Sequence, residues 1–231
     1  IQYANNEIGT IQQVAEISKI IKKFKGERQF PLFHTDACQA AGALTLDVNK
    51  LGVDLMTFNG SKIYGPKGVG CLFIKRGVNI EPQILGGSQE MGLRAGTENV
   101  PLIVGLFEAL RLADKIKDQE GNRQIRLRDC FIKNVLKLID GVNLNGHPQA
   151  RLPNNINISV RGVEGESLLL MLDKYGVFCS TGSACSSTDL APSYVLFAIG
   201  LATELAQGSI RITLGRDTTK EKLDYVLKVF P

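Results

Sequence analysis

The spacing of apolar residues changes along this chain from helical to strand-like and back, and that alternation restricts the architecture more than any other feature. Ile11, Val14, Ile17, Ile20, Ile21 and Phe24 recur at helical spacing, with Lys19, Lys22, Lys23 and Lys25 on other faces, which predicts an amphipathic surface helix. Apolar runs at residues 30–33, 53–58 and 69–74 have strand length, and the first two end in polar or glycine-rich segments. Helix alternating with buried strand predicts βαβ units and a parallel sheet, hence an α/β fold.

From residue 98 to 139 the pattern is helical again, heavily charged between Arg111 and Lys133, with an interruption expected around Gly121. A domain junction is placed near Ala113, giving one domain at 1–112 and a smaller C-terminal α+β domain at 113–231. The second is expected to hold a strand at 156–160, a helix at 164–175 and a strand near Val177. A helix from Ser193, a strand at 209–214 and a last helix at 218–230 complete it.

Composition narrows the class. The chain has 231 residues, 44% hydrophobic and 22% charged, which suits a soluble globular protein and excludes disordered, collagen-like and disulfide-scaffold classes. The net charge of +4 is interspersed, so nothing asks for direct contact with nucleic acid. The longest apolar stretch, 100–113, is broken by Glu108 and Arg111 and falls short of the roughly 18 residues of a membrane span. No signal peptide is expected. Five cysteines, an odd number with only Cys179 and Cys185 close together, point to a reducing compartment, and the cytoplasm is expected. Metal binding is not expected: the Cys179 and Cys185 spacing matches no common zinc pattern, and His34 and His147 lie far apart. The opening Ile1-Gln2-Tyr3-Ala4 resembles a strand running into a loop, so a region upstream, or a fragment of a longer sequence, is expected.

Three segments carry residues suited to chemistry. Asn59-Gly60-Ser61-Lys62-Ile63-Tyr64-Gly65-Pro66-Lys67-Gly68 follows one strand and precedes another. Gly60 and Gly65 have the spacing of a phosphate loop, but Pro66 stands where that motif needs its lysine and no Ser or Thr follows Lys67, so the nucleotide reading fails. Lys62 is either a desolvated amine suited to Schiff-base chemistry or a surface lysine in a turn. His34-Thr35-Asp36-Ala37-Cys38-Gln39 places Asp36 just past a strand, where it either meets a ligand or caps a helix. An acid for a pyridinium nitrogen together with a Schiff-base lysine is the pairing expected for pyridoxal phosphate. The third segment, from Cys179 through Ser183-Ala184-Cys185 to Ser193, is a loop of small polar residues. Its surroundings make Cys185 a reactive thiol, whereas Cys179 on the strand side fits a buried, inert one.

With these segments in order, the chain resembles the cysteine desulfurases often called NifS-like or IscS-like. The resemblance rests on Asn5-Asn6-Glu7-Ile8-Gly9, the Asp36 motif, residues 61–68, Arg94-Ala95-Gly96-Thr97, Ser183-Ala184-Cys185 and Ser209-Ile210-Arg211, in family order. The spacing from Cys185 to Pro192-Ser193-Tyr194 resembles the group with an extended catalytic loop.

The resemblance implies a partial large domain of a fold-type I pyridoxal phosphate enzyme followed by the small domain. The implied reaction takes sulfur from L-cysteine, leaving L-alanine and a persulfide on Cys185. Lys62 would be the Schiff-base lysine and Asp36 would pair with the pyridinium nitrogen. Gln39 and Asn6 would bond the cofactor's O3′ side, Arg211 would clamp the substrate carboxylate, and Thr97 would reach the phosphate of a neighbouring subunit in a homodimer. Family members often have Ser and His where Asn59 and Ser61 stand, so the phosphate contacts differ in detail. The family's N-terminal phosphate loop and ring-stacking histidine are not in this chain, and His34 does not replace the latter; the isolated chain is expected to be catalytically incomplete. The sulfur would pass to an iron-sulfur scaffold or a tRNA-thiolation protein. A selenocysteine lyase, or a cofactor-free interaction module, is the alternative.

Overall fold

The computed structural model describes residues 1–182 and 193–230. The chain divides into two compact units, one of residues 1–3 and 13–117, the other of residues 4–12 and 118–231.

In the first unit, α1 (Val14–Lys25) ends in Lys22, Lys23 and Lys25, which complement the negative end of the helix dipole. Its inward stripe is Val14, Ile17, Ser18 and Ile21; Ile20 and Phe24 of the expected apolar face point to solvent, where Arg28 stacks on the Phe24 ring at 4.7 Å. Ser18 replaces a methyl group on that stripe because its hydroxyl donates to the Gly52 carbonyl at 2.7 Å. Gly52 closes the one-turn helix α2 (Val48–Leu51), whose N-cap Asp47 accepts from the Asn49 and Lys50 amides.

The sheet of this unit has the order β1 (His34–Asp36), β2 (Leu55–Asn59), β3 (Gly70–Ile74). β1 and β2 are parallel, with Asp36 opposite Thr57, but β3 returns antiparallel to β2. The expectation of a wholly parallel sheet is corrected there: the glycine-rich segment joining β2 to β3 is a turn with no crossover helix, and only such a crossover could restore parallel pairing. The first strand begins at His34, beyond the run 30–33 in which it was expected. Met56 and Phe58 of β2 are buried, as are Leu106, Ala109 and Ala113, which lie on one face of α3 (Val100–Leu138). That helix passes through Gly121 unbroken; a Cβ there would find only an ordinary contact with Pro153, so the glycine marks no interruption. No described helix is long and apolar enough to cross a membrane.

The second unit carries an antiparallel sheet of β4 (Val142–Leu144), β5 (Asn155–Val160) and β6 (Ser209–Thr213). Ile156, Ile158, Ile210 and Ile212 pack with Phe131 and Val135 of α3, Leu168 and Leu172 of α4 (Gly165–Lys174), and Leu223 and Val226 of α7 (Lys220–Val229). No strand forms at Val177. The single helix expected from Ser193 is two, α5 (Tyr194–Ala198) and α6 (Thr203–Gln207), separated at Gly200, which takes the left-handed φ of 85°.

Every residue of β5 is buried, on both faces. The isoleucines face the core, while Asn155, Asn157 and Ser159 form a polar seam on the other side. Asn155 and Asn157 each donate to the Glu7 carbonyl, at 3.0 and 3.1 Å, and the Asn145 amide donates to Asn157 Oδ1 and Ser159 Oγ. Buried Arg151 donates to the Ile8 and Asn145 carbonyls at 2.9 Å. Burial pushes its guanidinium down to about 10, with the nearby charge of Arg128 acting in the same direction. These bonds explain why residues 4–12 group with a unit that otherwise starts at residue 118. Asn157→Ala leaves the buried Glu7 carbonyl and the Asn145 amide each short of a partner, and should cost about 1–3 kcal/mol in a denaturant titration. A change under about 0.5 kcal/mol would mean that the seam is solvated.

Candidate active site

In the first unit the site is a consequence of parallel pairing. Because β1 and β2 run the same way in register, the chain leaves both strands at the same edge of the sheet: β1 ends on Asp36, and β2 runs through Asn59 into the tight turn Gly60–Lys62. Ligands of open α/β sheets gather at this edge. Asp36 is half-buried and its Oδ1 accepts the Cys38 amide at 2.8 Å, which fixes a turn; residues 38–43 form turns, so Asp36 caps no helix. Cys38 records the local charges. Burial pushes its thiol up to about 11, a hydrogen bond and the charge of Asp36 push the same way, and the charge of Lys62 and the Asn59 amide oppose them. The charges of Asp36 and Lys62 thus both act on this half-buried sulfur, in opposite directions.

Close backbone approach shapes the turn that carries Lys62. A Cβ on Gly60 would lie 2.7 Å from the Pro66 carbonyl oxygen, and one on Gly105 of α3 would lie 2.5 Å from the Pro66 ring, so both positions exclude a side chain. Tyr64 sits at φ 63°, a conformation unusual for a residue other than glycine. Ser61 donates to Asn59 Oδ1 at 3.0 Å, which ties the turn to the end of β2. Gln39 is half-buried. Lys62 is exposed, and Thr97 is exposed on the irregular segment before α3.

In the second unit, half-buried Arg211 lies on β6 opposite Asn157 and donates through Nη1 to the Asn6 carbonyl at 2.9 Å. The Arg211 backbone exchanges two hydrogen bonds with Ser180, and the Ser209 hydroxyl donates to the Thr181 carbonyl at 3.2 Å, so residues 180 and 181 are laid against β6. An open cavity of about 610 Å³ lies there, lined by Leu170, Phe178, Cys179, Thr181, Arg211 and Thr213 among others. Cys179 is half-buried against the core, and its thiol is pushed up to about 11 by burial and then by the charge of Asp173. Cys185 lies outside the described residues.

One residue with no expectation attached is Glu7. It is 2% exposed, and its carboxylate accepts the hydroxyl of Ser193. It stands inside the Asn5–Gly9 motif, but nothing in a string of polar residues marks one carboxylate as buried.

The aminotransferase class-V family model matches residues 1–226. The chain is similar to the cysteine desulfurase IscS of Dictyoglomus turgidum, 55% identical over 229 residues that make up 99% of this chain and 57% of that protein. It is 50% identical to cysteine desulfurase IscS 1 of Archaeoglobus fulgidus, over 100% of this chain and 59% of that one. Among solved structures it is similar to the NifS-like protein of Rickettsia africae, with a TM-score of 0.88 and 33% identity over 100% of this chain and 59% of that chain. The chain therefore spans a little more than half the length of the relatives it matches. The match over nearly all its residues, with an acid and a lysine at one edge of an α/β sheet, makes this chain a member of the aminotransferase class-V family.

Proposed function

We propose that this protein removes the sulfur of L-cysteine with pyridoxal phosphate as cofactor, acting as a cysteine desulfurase. The observation that carries the reading is the placing of Asp36 and Lys62 at one strand edge, both acting on the Cys38 thiol. A carboxylate and a primary amine so placed suit a pyridinium nitrogen and an aldehyde, and the names of the relatives supply the substrate. When bound, the cofactor supplies an electron sink for the charge left at the substrate's α-carbon.

The chain's own residues do the rest. Asp36 would pair with the ring nitrogen, Gln39 and Asn6 would bond the O3′ side, and Asn59, Ser61 and Thr97, the last from a second subunit of a homodimer, would hold the phosphate. Lys62 would hold the cofactor and move protons at the substrate carbon. Arg211 clamps the substrate carboxylate. The Cys185 thiolate attacks the substrate sulfur: the Cβ–S bond breaks, an S–S bond forms, and the carbon takes a proton, so that alanine and an enzyme persulfide result. Residues 1–112 are then the C-terminal part of the cofactor domain and 113–231 the small domain. The persulfide serves an acceptor protein of iron-sulfur cluster assembly or tRNA thiolation in the cytoplasm.

The reading is tested by incubating the full-length protein with L-cysteine and measuring alanine against persulfide. Arg211→Lys should raise KM for L-cysteine about tenfold or more, because an ammonium cannot reproduce the bidentate fork. An unchanged KM with lowered Tm would make Arg211 structural.

A further inference from the structure

Within the second unit, every backbone carbonyl from Asn5 to Gly9 has a hydrogen-bond partner, and all but the first is met by a residue distant in sequence. The Asn5 carbonyl accepts the Gly9 amide at 3.1 Å, and that of Asn6 accepts Arg211 Nη1 at 2.9 Å. The Glu7 carbonyl accepts the side-chain amides of Asn155 and Asn157 at 3.0 and 3.1 Å. Those of Ile8 and Gly9 accept Arg151 Nη2 at 2.9 Å and the Leu152 amide at 2.8 Å. The peptide joining Asn6 to Glu7 is therefore fixed in orientation. Its N–H donates to Asn5 Oδ1 at 2.9 Å, and because a trans peptide is planar its C=O points the opposite way, where Arg211 meets it. That plane cannot turn without also pulling the Glu7 carbonyl off Asn155 and Asn157.

Asn157 and Arg211 are direct partners in the β5–β6 pair, so their side chains stand on the same face of the sheet. Asn157 is 1% exposed and held from two sides, since its Oδ1 accepts Asn145 Nδ2 at 2.7 Å while its own amide donates to Glu7. Arg211, by contrast, is half-buried and lines the open cavity of about 610 Å³. A long side chain at the edge of a cavity loses conformational freedom when it binds an anion, and a bond to a fixed carbonyl removes part of that freedom beforehand.

We propose that Asn157 is a positioning residue for Arg211: through the Glu7 carbonyl it fixes the Asn6–Glu7 peptide, and the Asn6 carbonyl in turn sets the orientation in which the guanidinium meets a carboxylate in the cavity. Asn157 itself touches no substrate. Asn155 is the second donor on the same Glu7 carbonyl. The inference rests on the reading of Arg211 as the clamp on the substrate carboxylate.

Two measurements on the full-length protein separate the inference from that reading. The first is steady-state turnover of L-cysteine. Asn157→Ala should raise KM about fivefold with kcat within about twofold, since a misaimed clamp loses binding that ground state and transition state share. Ile158→Val controls for lost stability: its side chain lies in the core on the opposite face of β5, so KM should stay within about twofold. Asn155→Ala should raise KM about threefold, and it takes the place of Asn157→Ala in both measurements should that variant not fold. The second measurement is the rate at which phenylglyoxal modifies Arg211, read by peptide mapping with exposed Arg76 as internal reference. It should rise about threefold in Asn157→Ala as the guanidinium leaves the Asn6 carbonyl. If the wild-type protein releases no alanine, the desulfurase reading fails and the modification ratio decides whether Asn157 positions Arg211. With an active wild type, an unchanged KM in folded Asn157→Ala, or a rise that Ile158→Val reproduces, would overturn the proposal. An unchanged modification rate of Arg211 would overturn it in either case.

Discussion

Lys62→Ala should lower alanine production from L-cysteine by at least about 10³-fold, because in the proposed mechanism one amine both holds the cofactor and moves the proton at the reacting carbon. The loss should come without unfolding. Lys62 is exposed on a turn whose shape is set by Gly60, Pro66 and Gly105, so removing its side chain should change stability by no more than about 0.5 kcal/mol. Lys67, five residues on in the same segment and also exposed, is the internal control. Lys67→Ala should keep activity within about twofold, since a surface ammonium outside the strand edge neither binds nor reacts. Borohydride reduction of the loaded protein followed by peptide mapping should fix the cofactor on Lys62. An adduct on Lys67, or full activity in Lys62→Ala, would overturn the assignment.

Cys185→Ser should reduce persulfide transfer below about 1% of wild type while leaving the cofactor's absorbance and its attachment to Lys62 intact, because a hydroxyl is a far poorer nucleophile towards sulfur than a thiolate. The remaining thiols offer an independent check. Cys38 and Cys179 are both held up at about 11 by burial, each assisted by a neighbouring carboxylate. Near pH 8 only about one in a thousand of either is thiolate, and labelling of both should rise about tenfold per pH unit until the pKa is reached. At pH 8 an alkylating agent should therefore favour Cys185 over these two, and over Cys71, whose thiol burial also raises. Equal labelling of all five cysteines in the folded protein, or persulfide transfer by Cys185→Ser, would remove Cys185 from its role.

Local pattern alone determined much of this protein. The helical periods of α1, α3, α4 and α7 and the apolar runs of β2, β3, β5 and β6 were legible because period and chain length are properties of a short window. So were the glycine and proline punctuation around Lys62 and the carboxylate after β1, since turn chemistry is also local. Tertiary structure decided what depends on partners distant in sequence. β3 turned antiparallel because nothing long enough to cross over joins it to β2. α3 ran through Gly121 because packing of the surrounding helix outweighs the roughly 1 kcal/mol that one glycine costs. Asn155, Asn157 and Ser159 alternate with isoleucines as a solvent face would, yet they are buried. Their partners are the carbonyl of Glu7 and the side chain of Asn145, which no window of β5 contains. The same separation hid Glu7: a carboxylate's burial is set by the groups that compensate it, and its partner, Ser193, lies 186 residues further along the chain.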